Sequence, residues 1–168
     1  MDTSGFLLEL SARIPALARG TVEGLTGIQL TQQIAPDANT IAWLVWHVAR
    51  VQDHHVGQIL GTAQLWETGT WASAFGLDDD PSNTGYGHGP RDVRAVRPES
   101  TDALCAYLDA VSARTASMLR DVSPEDLDRI VDRAWDPPVT LGVRLASIAA
   151  DNLEHVGQAA YVRGILGA

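Results

Sequence analysis

The segment ASIAADNLEHVGQAAYVRGIL, residues 146–166, constrains the fold most, because it is apolar enough for a buried helix yet carries polar groups in its middle. Asp151 and His155 lie four residues apart, and Gln158 follows three residues later. Helical geometry places them on one face with apolar neighbours, namely Ile148, Val162 and Ile165. Burying a charge without a partner is costly, so another part of the chain must supply a partner or a metal ion.

Apolar residues recur at the spacing of an α-helix in four long segments, which predicts four long helices. The segments cover roughly residues 4–25, 40–60, 101–120 and 140 to 164 or 167. Asn39 or Thr40 is suited to cap the second helix, and Thr140 is suited to cap the fourth. Because the chain shows no strong alternation of the kind that strands have, the sequence predicts an all-α fold. Its simplest form is a four-helix bundle in one domain, residues 1–168.

A long connection, about residues 62–98, separates the second and third predicted helices, so the bundle contains one long crossover. Connections of this length in a compact domain are usually functional or mobile. Its aromatic side chains, Trp66, Trp71 and Phe75, indicate that it packs back over the bundle. The alternative is a packed loop that has no part in any chemistry.

The acidic composition argues against some partners. The chain has 21 acidic and 12 basic residues, a net charge of −9, and its arginines are scattered. Nucleic acids and anionic membrane surfaces attract basic patches, so we expect neither as a partner. No stretch is apolar for long enough to span a membrane, and the N-terminus lacks the pattern of a signal peptide. We therefore expect a cytoplasmic protein.

Asp151 and His155 are candidates for binding a metal ion together. Residues four apart on a helix differ by about 40° of rotation and about 6 Å of rise, so their side chains can converge. The second predicted helix offers His47, His54 and His55 as further ligands. His54 lies about 10.5 Å further along the axis than His47, and His55 is rotated by about 80°. Only one of these histidines is therefore expected to join the pair.

His47 is the better candidate for the third ligand, because it lies in the most apolar part of its helix, where only a paired imidazole is favourable. Two histidines and one carboxylate leave coordination positions open, as in catalytic zinc sites, and they also suit Fe(II) or Ni(II). The alternative is a buried His47 with ordinary hydrogen bonds and an Asp151–His155 pair that is only hydrogen-bonded.

The motifs WLVWHVARVQDHH at 43–55 and DNLEHVGQAAYVRGIL at 151–166 resemble those of the DinB/YfiT-like superfamily of four-helix-bundle metalloenzymes. The resemblance covers nearly the whole chain and includes the order of the helices. It implies a divalent metal, zinc before nickel or iron, bound by His47, Asp151 and His155. Most members have a histidine where this chain has Asp151, and a carboxylate there is similar to the arrangement in mycothiol-dependent maleylpyruvate isomerases.

Members of this superfamily with known activity use small thiols such as mycothiol, bacillithiol or glutathione. The resemblance therefore implies a thiol S-transferase or a thiol-assisted detoxification enzyme, in which the metal deprotonates the thiol that attacks an electrophile. Such a protein needs no cysteine of its own, and we expect Cys105 to be a small core residue. The competing hypothesis is a non-catalytic bundle, fastened by a metal or by a His–Asp hydrogen bond, that acts through a protein partner.

Four further residues are candidates for the pocket or for the surroundings of the metal. Gln158 shares a face with the last-helix ligand, and His54 follows the second-helix ligand by up to two turns. Tyr86 and His88, in the long connection, could contact substrate or transfer protons if that loop covers the site. The alternative for His88 is a solvated loop histidine. The apolar and tryptophan content also leaves room for a homodimer through one face of the bundle.

Overall fold

The periodic apolar segments form four long helices, joined by shorter helices and one small sheet, in the computed structural model of residues 1–168. The long helices are α1 (Thr3–Val22), α3 (Ile41–Leu60), α7 (Thr101–Leu119) and α8 (Leu141–Leu166). The short elements are α2 (Gly27–Thr31), α4 (Leu65–Thr68), α5 (Trp71–Ala74), α6 (Pro90–Ala95), the 3-10 segment Glu125–Asp128, β1 (Ile130–Asp132) and β2 (Val139–Thr140). The predicted all-α class is confirmed.

The four long helices pack as a bundle around one core. α3 packs against α7 and α8, and α1 packs against the same two helices. Most of the core is a single cluster of 26 buried apolar residues, in which Trp46 and Trp66 meet at a ring-centroid distance of 6.1 Å. Burying a large apolar side chain contributes about 1.5–3 kcal/mol, so this cluster dominates the stability of the fold. No helix has both the length and the apolar character needed to cross a membrane.

The ends of α3 and α8 follow local capping chemistry. Thr40 accepts a hydrogen bond from the backbone N–H of Trp43 at 3.1 Å, so the second of the two cap candidates is the one used. Thr140 caps α8 in the same way, with the N–H of Val143 donating at 3.4 Å. Gly167 terminates α8 with a left-handed φ of 69°, which glycine adopts without strain.

The crossover between α3 and α7 packs back over the bundle, as its aromatic residues predicted, and it contains three short helices. Arg50, fully buried on α3, binds the middle of the crossover and also the residue that precedes α4. The guanidinium donates to the backbone carbonyls of Pro81 at 3.1 Å and Asn83 at 3.0 Å, and to Gln64 Oε1 at 2.9 Å. These hydrogen bonds fix the segment that lies beside the predicted metal ligand of α3.

Asp53, also fully buried on α3, holds the near part of the crossover. Its carboxylate accepts hydrogen bonds from the backbone N–H groups of Leu65 and Trp66, both at 2.9 Å, at the start of α4. Tyr107 of α7 donates its hydroxyl to the same carboxylate at 2.9 Å, and Arg114 donates at 3.2 Å. One buried carboxylate therefore links α3, α4 and α7.

A short β-hairpin precedes α8, where the sequence pattern indicated no strand. Ile130 pairs with Thr140, and Asp132 pairs with Val139, in antiparallel orientation. Strands of three and two residues are too short for alternation of apolar and polar residues to be visible, which is why the pattern did not reveal them. The connection between the strands carries Trp135, whose surface is 65% exposed.

Candidate metal centre

α3 and α8 bring His47, Asp151 and His155 together, and one ligand atom from each lies within 4.8 Å of the other two. His47 Nε2 is 3.8 Å from Asp151 Oδ2, and His155 Nε2 is 3.5 Å from Asp151 Oδ1. The side chain of His47 is 7% exposed, whereas those of Asp151 and His155 are 34% and 18% exposed. The group is therefore buried on the α3 side and accessible on the α8 side.

The crossover sets the orientation of the His47 ring. His47 Nδ1 lies 2.5 Å from the backbone carbonyl of Thr84, which can only accept, so Nδ1 carries the proton and Nε2 keeps its lone pair towards Asp151. Trp43 stacks on the same ring, with centroids 4.7 Å apart and planes 10° from parallel. Gly85 follows with a φ of 94°, and a Cβ there would lie 2.6 Å from His47 Nδ1. A glycine is thus required beside the ring.

The ring of His155 is oriented from its own helix. Its Nδ1 lies 2.9 Å from Gln158 Oε1, which accepts, so in the neutral imidazole Nε2 is free and faces Asp151. Gln158 is exposed and contacts the outer nitrogen of the ring. A polar partner on the second nitrogen is the usual surrounding of a metal-binding histidine.

Asp151 is the electrostatic centre of the group. Burial by itself raises the pKa of this carboxyl, but the hydrogen bond with His155 and the proximity of His47 bring it below the usual value. The same hydrogen bond raises the pKa of His155, whereas burial lowers that of His47. At neutral pH Asp151 is therefore a carboxylate that faces at least one neutral imidazole.

A divalent cation fits these donors. Asp151 Oδ2 is buried and has no hydrogen-bond partner, and a buried oxygen in that state is costly. The neutral imidazole of His47 turns its unprotonated Nε2 towards this carboxylate. Nε2 of His155 faces the same carboxylate, so a cation that takes the place of the proton on that nitrogen would be held by all three donors at once. Nitrogen and carboxylate ligands of this kind suit zinc, and they also suit iron and nickel.

A cavity of about 410 Å³ opens beside the donors. Its wall includes His47 and Asp151, together with two of the predicted pocket residues, His54 and Tyr86. Further lining residues come from α3, the crossover, the hairpin and α8, among them His55, Gln58, Thr84, Asp132, Trp135 and Arg144. A small molecule in this cavity would touch both the donor group and the hairpin.

His88 lies outside this cavity and supports the crossover. Its Nδ1 accepts a hydrogen bond from Trp43 Nε1 at 3.0 Å, so its Nε2 carries a proton and donates to Asn83 Oδ1 at 2.9 Å. The ring also stacks on Trp46, with centroids 5.8 Å apart. Both ring nitrogens are therefore engaged within the protein, which leaves neither of them free to contact a substrate.

The far wall of the cavity contains residues that sequence reasoning missed. Arg144 of α8 donates to Asp132 Oδ2 of β1 at 2.7 Å, and it lies 3.5 Å from His55 Nε2. Burial, together with the Arg144 cation, lowers the pKa of His55 to about 4. Arg144 could have been found from its position seven residues before Asp151, two turns away on one face of α8. Asp132 and Trp135 gave no such signal, because the hairpin was not predicted.

Comparisons with known proteins identify the family of the chain. The family model described as mycothiol-S-transferase matches residues 10–168. The chain belongs to the mycothiol-S-transferase family. No curated protein matches the chain significantly.

The fold of this mycothiol-S-transferase family member is also similar to a solved structure. A crystal structure of a conserved protein from Enterococcus faecalis superposes with a TM-score of 0.88 at 31% sequence identity. The match covers 97% of this chain and 96% of the other. The whole bundle is therefore shared between the two proteins, including the helices that carry the donor group.

Proposed function

We propose that this protein is a metal-dependent thiol S-transferase that joins a low-molecular-weight thiol of the mycothiol type to an electrophile. The observation that carries the metal dependence is the Asp151 carboxylate, whose Oδ2 is buried without a hydrogen-bond partner 3.8 Å from the unprotonated Nε2 of His47, while its Oδ1 faces Nε2 of His155 at 3.5 Å. Membership of the mycothiol-S-transferase family supports the class of thiol.

His47, Asp151 and His155 would hold the metal, for which zinc is the first candidate and nickel or iron the others. When bound, such an ion acts as a Lewis acid that favours the thiolate form of a thiol. Three protein ligands are one fewer than a closed structural zinc site uses, so a position remains for a small molecule. The chain itself need not supply a nucleophile, and its one cysteine, Cys105, is buried on α7, away from this cavity.

The residues around the donors orient them and shape the place of reaction. Thr84 and Trp43 hold the His47 ring, and Gln158 holds that of His155. The cavity of about 410 Å³ is large enough for part of a thiol and for an electrophile beside it. We place the reaction in the cytoplasm, where small thiols are kept reduced. The homodimer stays a prediction.

The deciding experiment measures metal content and thiol transfer on the same preparations. Untagged wild-type protein and the His155→Ala variant are analysed by ICP mass spectrometry after incubation with zinc and removal of the excess. Both are then assayed for conjugation of mycothiol to 1-chloro-2,4-dinitrobenzene. We expect close to one zinc ion per wild-type chain, lost in the variant together with the conjugation.

The exposed neighbour Glu154 provides the matched control, since Glu154→Ala lies on the same helix outside the donor group. This variant should retain both metal and activity. A folded wild-type protein that binds no zinc, and that also binds neither nickel nor iron when these are offered in place of zinc, would exclude the proposed enzyme. It would leave the His–Asp group as a link between α3 and α8 in a non-catalytic bundle.

A further inference from the structure

The part of the cavity wall that Arg144 and Asp132 form has no unpaired cation. Arg144 and Asp132 form an ion pair at 2.7 Å, and their side chains are only 12% and 22% exposed. The positive charge of the guanidinium is therefore compensated within the wall. A carboxylate entering this region would meet Asp132 as well as Arg144, so the pair gives it little net attraction.

The two histidines of the same region are neutral at pH 7. Burial, with the nearby Arg50 cation, lowers the pKa of His54, and burial with Arg144 lowers that of His55 to about 4. His55 Nδ1 contacts Gln58 Oε1 at 3.2 Å, which adds an amide to the polar groups at this wall. The region thus offers many hydrogen-bonding groups and almost no net charge.

Two exposed aromatic side chains stand at the rim, and they come from different elements. Trp135 of the hairpin is 65% exposed, and Tyr86 of the crossover is 94% exposed, yet both line the cavity. The tryptophans of the core are very different, because Trp46 and Trp66 are fully buried. Trp135 therefore adds little to the core, and its ring face is available to a ligand.

We propose that this region is a subsite for the uncharged, polyhydroxylated part of the thiol. The name sugar subsite is used for five residues: His54, His55, Asp132, Trp135 and Arg144. Hydroxyl groups of a sugar or cyclitol would bond to the ion pair and the imidazoles, while the apolar face of the ring would lie against Trp135. The inference rests on the proposed function, because it assigns the non-reacting portion of the same thiol.

The sugar subsite distinguishes between classes of small thiol. Mycothiol carries its acetylated cysteine on an uncharged aminosugar–inositol unit, which matches a wall rich in hydrogen-bonding groups and free of net charge. Glutathione carries carboxylates, which would have to compete with Asp132 for Arg144. The sugar subsite therefore favours the neutral thiol, and Asp132 is the residue that excludes the anionic one.

The test uses probes that cannot react, so that binding is separated from catalysis. S-methylmycothiol and S-methylglutathione are titrated by isothermal calorimetry into the wild type and into Trp135→Ala, Asp132→Asn and Tyr161→Ala. Tyr161 is the control, because it is 69% exposed on α8 and does not line the cavity. Circular dichroism and thermal unfolding confirm that each variant is folded.

We expect the wild type to bind S-methylmycothiol more tightly than S-methylglutathione. Trp135→Ala should lower the affinity for S-methylmycothiol about three- to tenfold, because it removes an aromatic contact. Tyr161→Ala should leave this affinity unchanged. Asp132→Asn frees the Arg144 guanidinium and should strengthen S-methylglutathione binding about tenfold.

The inference is overturned if S-methylmycothiol fails to bind, if Trp135→Ala has no effect, or if S-methylglutathione binds the wild type equally well. Conjugation of mycothiol by the zinc-loaded wild type tests the proposed function separately. If mycothiol is conjugated but the expected binding pattern is not seen, the sugar subsite is refuted and the transferase activity stands. If the binding pattern is seen but mycothiol is not conjugated, the transferase activity is refuted and the sugar-binding site stands.

Discussion

His47 Nδ1 donates to the backbone carbonyl of Thr84 at 2.5 Å, so a residue of the crossover determines which nitrogen of an α3 histidine faces Asp151. The bundle supplies the positions of the donors, but the crossover supplies the tautomer and the ring orientation. The loop is itself fixed by Arg50 through the carbonyl of Asn83 at 3.0 Å. Its conformation is therefore part of the candidate metal centre.

Replacing Gly85 by alanine should weaken metal binding at the candidate metal centre. The added Cβ would lie 2.6 Å from His47 Nδ1 and 3.0 Å from Trp46, in a backbone conformation with φ at 94°. Because partners outside the ligand set typically control metal affinity by 10- to 100-fold, we expect zinc affinity to fall by about that factor. Competition with a chromophoric zinc chelator measures it.

The control for this substitution is Gly87→Ala. Gly87 also has a positive φ, 75°, but nothing lies within 4 Å of the position of its Cβ. Both variants carry the backbone strain, and only the first carries the clash with His47. Equal losses of zinc affinity in the two variants would show that the strain, rather than contact with the ring, is responsible.

Replacing Asp151 by asparagine removes the negative charge and keeps the shape of the side chain. We expect zinc affinity to fall by roughly 100-fold or more, because a direct ligand matters at least as much as its surroundings. Glu154→Gln makes the same change of charge on an exposed residue three positions away and should leave the affinity unchanged. Unchanged affinity in the Asp151 variant would contradict the ligand set.

The sequence predicted the bundle because its apolar periodicity and its caps act locally. Thr40 and Thr140 cap helices through their own side chains, and such contacts are encoded within a few residues.

Burial along α8 was predicted less well. Ile165, expected on the buried face, is 52% exposed, whereas Asn152 is 1% exposed and donates to Gln52 Oε1 at 2.8 Å. Helix packing decides which face is inside, and that depends on distant residues.

The donor group was visible in the sequence because two of its members are four residues apart and the third is a histidine in an apolar helix. The hydrogen bond between His47 and the backbone carbonyl of Thr84 could not be predicted from the sequence, because every residue has a backbone carbonyl. The same holds for Asp132 and Trp135, which reach the cavity only through a hairpin whose two strands contain five residues in total. Tertiary contacts of loops are the part that local patterns do not encode.

Replacing Asp53 by asparagine should destabilise the whole protein. Its carboxylate is fully buried, accepts from two backbone N–H groups and Tyr107, and lies 3.5 Å from the buried Arg50 guanidinium. Removing one partner of a buried ion pair costs about 3–5 kcal/mol, and we expect a loss of about 3 kcal/mol because asparagine keeps an acceptor. Urea unfolding measures it.

The exposed ion pair between Asp109 and Arg19 provides the control for the loss of stability predicted for Asp53→Asn. Their side chains are 48% and 51% exposed, and exposed pairs contribute about 0–1 kcal/mol. Asp109→Asn should therefore change the free energy of unfolding by less than about 1 kcal/mol. Similar losses for both variants would argue that Asp53 is not the link between the bundle and the crossover.

His55 should make the protein less stable in mild acid. Burial and Arg144 disfavour the imidazolium, so the pKa of His55 is lowered from its ordinary value of 6.5 to about 4 in the folded state. Between these two values the unfolded chain binds the proton more readily, so stability is greatest above pH 6.5 and falls as the pH decreases towards 4. From pH 7 to pH 5 this residue alone accounts for a loss of roughly 2 kcal/mol.

Urea unfolding of the metal-free protein at both pH values should show that His55→Gln loses less stability than the wild type by about this amount. Identical losses would show that the imidazole of His55 can become protonated in the folded protein at little cost.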